Sequence, residues 1–167
     1  MKDAALKLAR AGVAVFPVKP RDKIPLTGHG CLDATSDDER VRAWWDQWPD
    51  ANIGLATGSK SGVWVLDIDG EEGEASLRDL EHRLGALPAT VVAITGGGGR
   101  HLFFRLPDLD EAPTVKNSAG QVGAGLDVRG EGGYVVAPPS IHPSSKRYCW
   151  SVDSALEFAD APVWLLA

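Results

Sequence analysis

Hydrophobic residues along the chain fall into short segments of two periods, and glycine or proline separates most of them. In residues 3–11, Leu6, Leu8 and Ala9 stand among charged residues and Gly12 follows, which predicts a helix stopped by a glycine. Residues 13–18 predict a short strand, and the Pro- and Gly-rich residues 19–30 a loop. Ser36 with Glu39 three positions on is a capping-box signature. The helix it opens carries Val41, Trp44, Trp45 and Trp48 on one face, and Pro49 ends it. Residues 63–69 predict a strand. Residues 75–84 predict a helix with Leu77, Leu80 and Leu84 on one side and Gly85 as its stop. Residues 91–95 and 101–106 predict two strands joined by Gly96-Gly97-Gly98-Gly99-Arg100. Residues 126–129 and 134–137 predict a second strand pair around Gly130-Glu131-Gly132-Gly133. A last strand over 147–152 and a short closing helix over 155–159 complete the reading. Strand pairs with short glycine loops imply antiparallel pairing, and the interspersed helices make the fold class α+β, in one domain over residues 1–167.

Composition narrows the class. With 167 residues, 44% hydrophobic and 24% charged, the chain can bury a core without disulfide or metal staples. Its longest apolar runs, such as residues 63–66, are too short to span a membrane, and Lys2 and Asp3 do not begin a signal peptide, so a cytoplasmic location is expected. Cys31 and Cys149 belong to no CxxC pair. His29 lies close to Cys31, but a second ligand pair is missing, so two reduced thiols and no zinc are expected. The formal net charge of −6 argues against a surface that grips nucleic acid mainly by neutralising phosphates. It leaves room for a local basic groove, and carboxylates that bind cations enlarge the negative total without opposing an anionic substrate.

Those carboxylates stand out. Strand alternation puts Asp67 and Asp69 on one face, in line with Val65, while Leu66 and Ile68 point the other way. Two carboxylates two residues apart repel each other, and a divalent cation is the commonest reason for them; a strand ending in a solvated loop at Gly70-Glu71-Glu72 is the alternative. Asp127 and Arg129 share a face of a second strand. Three carboxylates on two strands suit a pair of magnesium or manganese ions, and Arg129 suits a triphosphate or, alternatively, an ion pair with Asp127 itself. Gly96 to Gly99 can bring backbone N–H groups close to an anion and opens into Arg100 and His101, the latter fitted either to phosphate or to a structural role. Pro138-Pro139-Ser140-Ile141-His142-Pro143 reads as a rigid turn that offers a hydroxyl and an imidazole to a ligand, or as an ordinary edge turn. Lys23 reads as a phosphate contact or as a solvated lysine.

In order and spacing, these motifs resemble the bifunctional primase–polymerase domains of plasmid and phage replication proteins, in the archaeo-eukaryotic primase superfamily. The resemblance runs from residues 12–17 and Lys23-Ile24-Pro25 through Trp44-Trp45 and residues 52–58. It is strongest at Leu66-Asp67-Ile68-Asp69, at residues 95–104, and at residues 126–130 with 133–140. It implies an RNA-recognition-type antiparallel sheet module packed with a smaller N-terminal α/β unit. It implies that Asp67, Asp69 and Asp127 are catalytic metal ligands for magnesium or manganese. It further implies that Gly99, Arg100 and His101 form the motif whose histidine meets the incoming nucleotide's phosphates. Arg129, Ser140, His142 and Lys23 join them as candidate nucleotide-binding residues. The expected substrates are a DNA template and primer with nucleoside triphosphates, and many relatives continue into a helical primer-initiation domain and a helicase, so the chain is expected to be the N-terminal part of a longer replication protein. Two rivals compete with this reading: a metal-dependent nuclease, and a non-catalytic single-strand-binding module that stacks bases on Tyr148, Trp150 and Trp64.

Overall fold

The chain builds two antiparallel sheets that share no strand, and the computed structural model describes residues 1–107 and 114–166. In chain order the elements are α1 (Lys2–Arg10), β1 (Val15–Val18), a 3₁₀ turn (Gly30–Asp33), α2 (Asp38–Gln47), β2 (Asn52–Ala56), β3 (Val63–Ile68) and α3 (Gly70–Leu84). Then come β4 (Val91–Ile94), β5 (Arg100–Arg105), β6 (Ser118–Gly123), β7 (Leu126–Arg129), β8 (Tyr134–Ala137), β9 (Cys149–Trp150) and α4 (Val163–Leu166). The larger sheet has the strand order β6-β7-β3-β5-β4-β9 and the smaller one β1-β2-β8. Among the described residues no helix is long and apolar enough to cross a membrane.

Alternation in β3 divides the core in two. Val63 and Val65, with Phe103 and Ala93 beside them, pack against Leu6 of α1, Val41 and Trp45 of α2, and Ile53 and Leu55 of the small sheet. Trp64, Leu66 and Ile68 face the other way, onto Leu77 of α3 and Leu165 of α4, with Leu102, Phe104, Leu126 and Val128 from neighbouring strands. Each large aliphatic or aromatic side chain removed from water here contributes about 1.5–3 kcal/mol. The face that carries Val63 and Val65 also carries Asp67, so the interface between the two units ends in polar residues at the C-terminal end of β3.

Several predicted elements take a different form. The cap of α2 is Asp37, whose carboxylate accepts from the Arg40 N–H at 2.8 Å, so the Ser36–Glu39 box does not form. Helix α3 begins at Gly70, directly after Asp69, and Leu84 at its end is 48% exposed rather than packed. Residues 126–129 and 134–137 do not pair with each other. β7 pairs with β3 and β8 with β2, so Gly130 to Gly133 carries the chain from one sheet to the other. Residues 155–159 are not helical, because their backbone serves β5: the Ala159 carbonyl accepts from the Arg105 N–H at 2.9 Å, and the Ala159 N–H donates to Thr90 Oγ1 at 3.0 Å. The closing helix is α4 instead.

Candidate active site

The three central strands of the large sheet set three polar residues in one row. Asp67 of β3 is the direct cross-strand partner of His101 on β5 and of Asp127 on β7. One step along, Val65 stands between Phe103 and Arg129, which brings the Arg129 guanidinium over the same carboxylates. Arg129 Nη2 lies 2.8 Å from Asp127 Oδ2 and 3.8 Å from Asp67 Oδ2, and His101 Nε2 lies 3.4 Å from Asp67 Oδ1. The other Asp127 oxygen accepts from the Gly120 N–H at 3.0 Å. Both readings of Arg129 thus begin from the ion pair that it makes with Asp127.

Asp69 leaves the strand to become the residue that precedes α3. Its carbonyl accepts from the Gly73 N–H, its own N–H donates to the Gly125 carbonyl, and its side chain caps nothing. Gly73 is tied to this crossing, since a Cβ there would be driven into the Gly125 carbonyl oxygen. The exposed Asp69 carboxylate titrates above its ordinary value, chiefly through partial burial and then through the nearby Asp67 and Asp127 charges. For Asp67, burial is again the largest influence and pushes the pKa up, but the His101 contact together with the Arg129 and Lys23 charges outweighs it and holds the carboxyl below its ordinary value. Two neighbouring carboxylates are therefore tuned in opposite directions, a pattern that marks functional sites more often than solvated surfaces.

Asp67, His101 and Arg129 border a cavity of about 380 Å³, lined also by Lys23, Asn117, Tyr134 and Tyr148 with the Gly132-Gly133 backbone; Asp69 and Asp127 are not among its lining residues. His101 is buried and its Nδ1 has no hydrogen-bond partner among the described residues. Tyr148 stacks near it, with ring centroids 6.1 Å apart, and lies 5.7 Å from the His142 ring on its other side. Burial, reinforced by Asp67 and Asp69, pushes the Tyr148 phenol up to about 12. The His142 imidazole is held below its ordinary value by burial and by the Lys23 charge.

Other candidate residues sit elsewhere. Arg100 is on the opposite face of β5 from His101 and makes a bidentate ion pair with Glu74 of α3, at 2.6 and 2.8 Å, so it does not reach the cavity. Gly99 serves packing: its N–H donates to Thr95 Oγ1, and a Cβ would be driven into the Ile68 carbonyl oxygen. Gly96 is covered by His142, whose imidazole a Cβ there would strike. Ser140 is fully buried, and its hydroxyl accepts from the Ile53 N–H at 2.8 Å, so it extends the small sheet beyond the end of β8. Trp64 is also fully buried and Tyr148 is 2% exposed, so of the proposed stacking aromatics only Trp150, at 42%, presents a surface. Among the described residues no three His, Cys, Asp or Glu side chains already converge as metal ligands.

Two further cavity residues, Asn117 and Tyr134, carry no sequence signal of a role there. Asn117 accepts from the Gly130 N–H at 2.8 Å and donates to the Glu131 carbonyl at 3.0 Å, clamping the turn that forms the cavity wall. The Tyr134 hydroxyl donates to the Lys23 carbonyl at 2.9 Å and so fixes the loop that carries Lys23. A polar residue ahead of a glycine-rich turn gives no periodic signal, and only the fold brings Asn117 within reach.

A family model described as bifunctional DNA primase/polymerase, N-terminal, matches residues 5–164. No curated protein matches the chain.

Proposed function

The chain belongs to the bifunctional DNA primase/polymerase family, and on that premise we propose that it adds nucleotides to a primer along a DNA template, at the Asp67, Asp69 and Asp127 carboxylates. The observation that carries this reading is the row His101–Asp67–Asp127 across three adjacent strands, with the Asp69 carboxylate beside it and bonded to nothing through α3. An all-carboxylate oxygen set suits hard divalent cations such as magnesium or manganese. Burial first, and then the Asp67 and Asp127 charges, raise the Asp69 pKa, and a bound cation would relieve the second of these causes. Asp67, Asp69 and Asp127 would hold the metal. When bound, it supplies charge neutralisation to a triphosphate and a lowered pKa to the attacking 3′-hydroxyl.

The remaining work falls to cations of the chain itself. Arg129 now bridges Asp127 and Asp67. Its contacts run through Nη2 alone, so its planar fork still has donors for a bidentate grip on phosphate. Lys23 faces the same cavity as Arg129, so a triphosphate there would meet positive charge from two sides. His101 is oriented by Asp67 and backed by Tyr148, which fixes the imidazole while excluding water behind it. Catalysis of this kind is positioning plus charge stabilisation, with no covalent intermediate.

The test is extension of a labelled primer–template with magnesium or manganese, comparing the wild type with Asp67→Asn and Asp69→Asn. Loss of about 100-fold or more is expected for each, the scale of removing an electrostatic stabiliser from an active site. Undiminished extension would refute the assignment, and shortening of the strand whether or not nucleotides are present would identify hydrolysis instead.

A further inference from the structure

A second cavity, of about 590 Å³, lies between α1 and β9. Its walls include Leu8 of α1, Pro138 and Trp150, and its charged residues are Lys7 and Arg147; no carboxylate is among the described residues that line it. Elsewhere on α1 the cations are neutralised, Lys2 by Asp46 and Arg10 by Asp38, whereas Lys7 and Arg147 are exposed and enter no ion pair among the described residues. On a chain of net charge −6, an acid-free groove with two free cations is a local exception. Its aromatic wall is rigid: β9 pairs Trp150 with Ala93, and the Phe103 ring lies behind the indole at 5.7 Å.

An exposed indole on a fixed strand, flanked by unpaired cations, fits a flexible polyanion whose flat bases can leave one another to stack. A duplex keeps its bases stacked inside and offers the indole nothing. The groove adjoins the candidate active site: Tyr148 is a wall common to both cavities, and Trp150, Ala93, His101 and Asp67 lie in one cross-strand row. We infer that this groove holds the single-stranded template on its way to the catalytic cavity, with a base on Trp150 and backbone phosphates on Lys7 and Arg147. The inference rests on the polymerase reading for the identity of the strand, and on the groove's own chemistry for its ligand.

The experiment measures binding of a labelled oligo-dT strand to the full chain by fluorescence anisotropy over a range of salt concentrations. Trp150→Ala is expected to weaken binding about 5-fold or more, the effect of losing one stacked base, while Trp150→Phe keeps most of the affinity. The pair Lys7→Gln and Arg147→Gln, both on the surface, should lower the slope of log affinity against log salt by about 1.4, at roughly 0.7 per phosphate contact on a single strand. Affinity for manganese–nucleotide should not change in these variants. Oligonucleotide binding at wild-type strength in both Trp150→Ala and the double variant would overturn the inference. So would losses of equal size on blunt duplex, or an effect confined to self-association or to peptide capture. The two readings fail separately. If Asp67→Asn and Asp69→Asn still extend primers while Trp150→Ala loses the oligonucleotide, the catalytic reading falls and the groove's ligand stands. If those aspartate variants are dead while the groove variants bind and extend as wild type, only the groove is misassigned.

Discussion

Replacing Ser140 with Ala separates a structural serine from a substrate-binding one. The sequence motif offers Ser140 to a nucleotide, whereas the fold gives its hydroxyl to the Ile53 N–H, at 2.8 Å and out of reach of solvent. Truncation leaves that strand N–H buried without an acceptor, which costs about 1–3 kcal/mol. At roughly 2–4 °C per kcal/mol for a chain of this size, the melting temperature should fall by about 2–12 °C. The loop itself should stay in place, because Asn52 still anchors it through both backbone groups of one residue: its Oδ1 accepts from the Ile141 N–H at 2.9 Å and its Nδ2 donates to the Ile141 carbonyl at 2.8 Å. Nucleotide affinity should therefore hold. Urea unfolding with an unchanged m-value gives the stability loss, and titration with manganese–nucleotide below the new unfolding temperature gives the affinity. An unchanged midpoint together with clearly weaker nucleotide binding would refute the reasoning and return Ser140 to the site.

Further predictions follow from the same geometry. Gly99→Ala should cost about 3 kcal/mol by overpacking against the Ile68 carbonyl, read as a lower urea midpoint; a silent substitution would mean that the loop and β3 do not meet. Because Asp69 titrates above its ordinary value, manganese affinity measured by calorimetry should decline, as pH falls, from a point above the usual carboxylate range, and Asp127→Asn should move that point down. In the metal-free protein the sign is the reverse of the common carboxylate case: the folded state keeps the Asp69 proton longer than the unfolded one, so stability falls as pH rises from the ordinary value through the raised one, and Asp69→Asn removes that slope. In a Tyr134→Phe background, tyrosinate absorbance from Tyr148 should appear only near pH 12, and stability should drop between pH 10 and 12, where the unfolded chain ionises first.

Much of the candidate site is legible in strand parity. Alternation alone aligned Asp67 with Val65 and Asp127 with Arg129, and the sheet then added what parity cannot supply, that Asp127 and His101 flank the same residue. The same parity puts Arg100 on the face of β5 opposite His101, where it meets Glu74. β2 gives no strand signal because Gly54 interrupts its apolar run. That glycine is required because the Phe16 ring lies against it, a contact between segments that no local pattern announces. β6, with the sequence Ser-Ala-Gly-Gln-Val-Gly, has no apolar period and forms only because β7 offers it an edge. The partner of β8 is hidden for a similar reason: the nearest strand in sequence is β7, but the buried Val135 and Ala137 belong with Ile53 and Leu55, some 80 positions earlier.

That last pairing has a consequence for how the protein is made. The small sheet lacks its third strand until residue 137 has left the ribosome, so β1 and β2 must wait, one edge of β2 bare, while the whole of β3 to β7 is synthesised. Slowing translation after β2 should therefore bring no early gain of protease resistance in the N-terminal segment. Protection of both units should arrive together, once the Gly130 to Gly133 crossing has delivered β8 to the edge that waits for it.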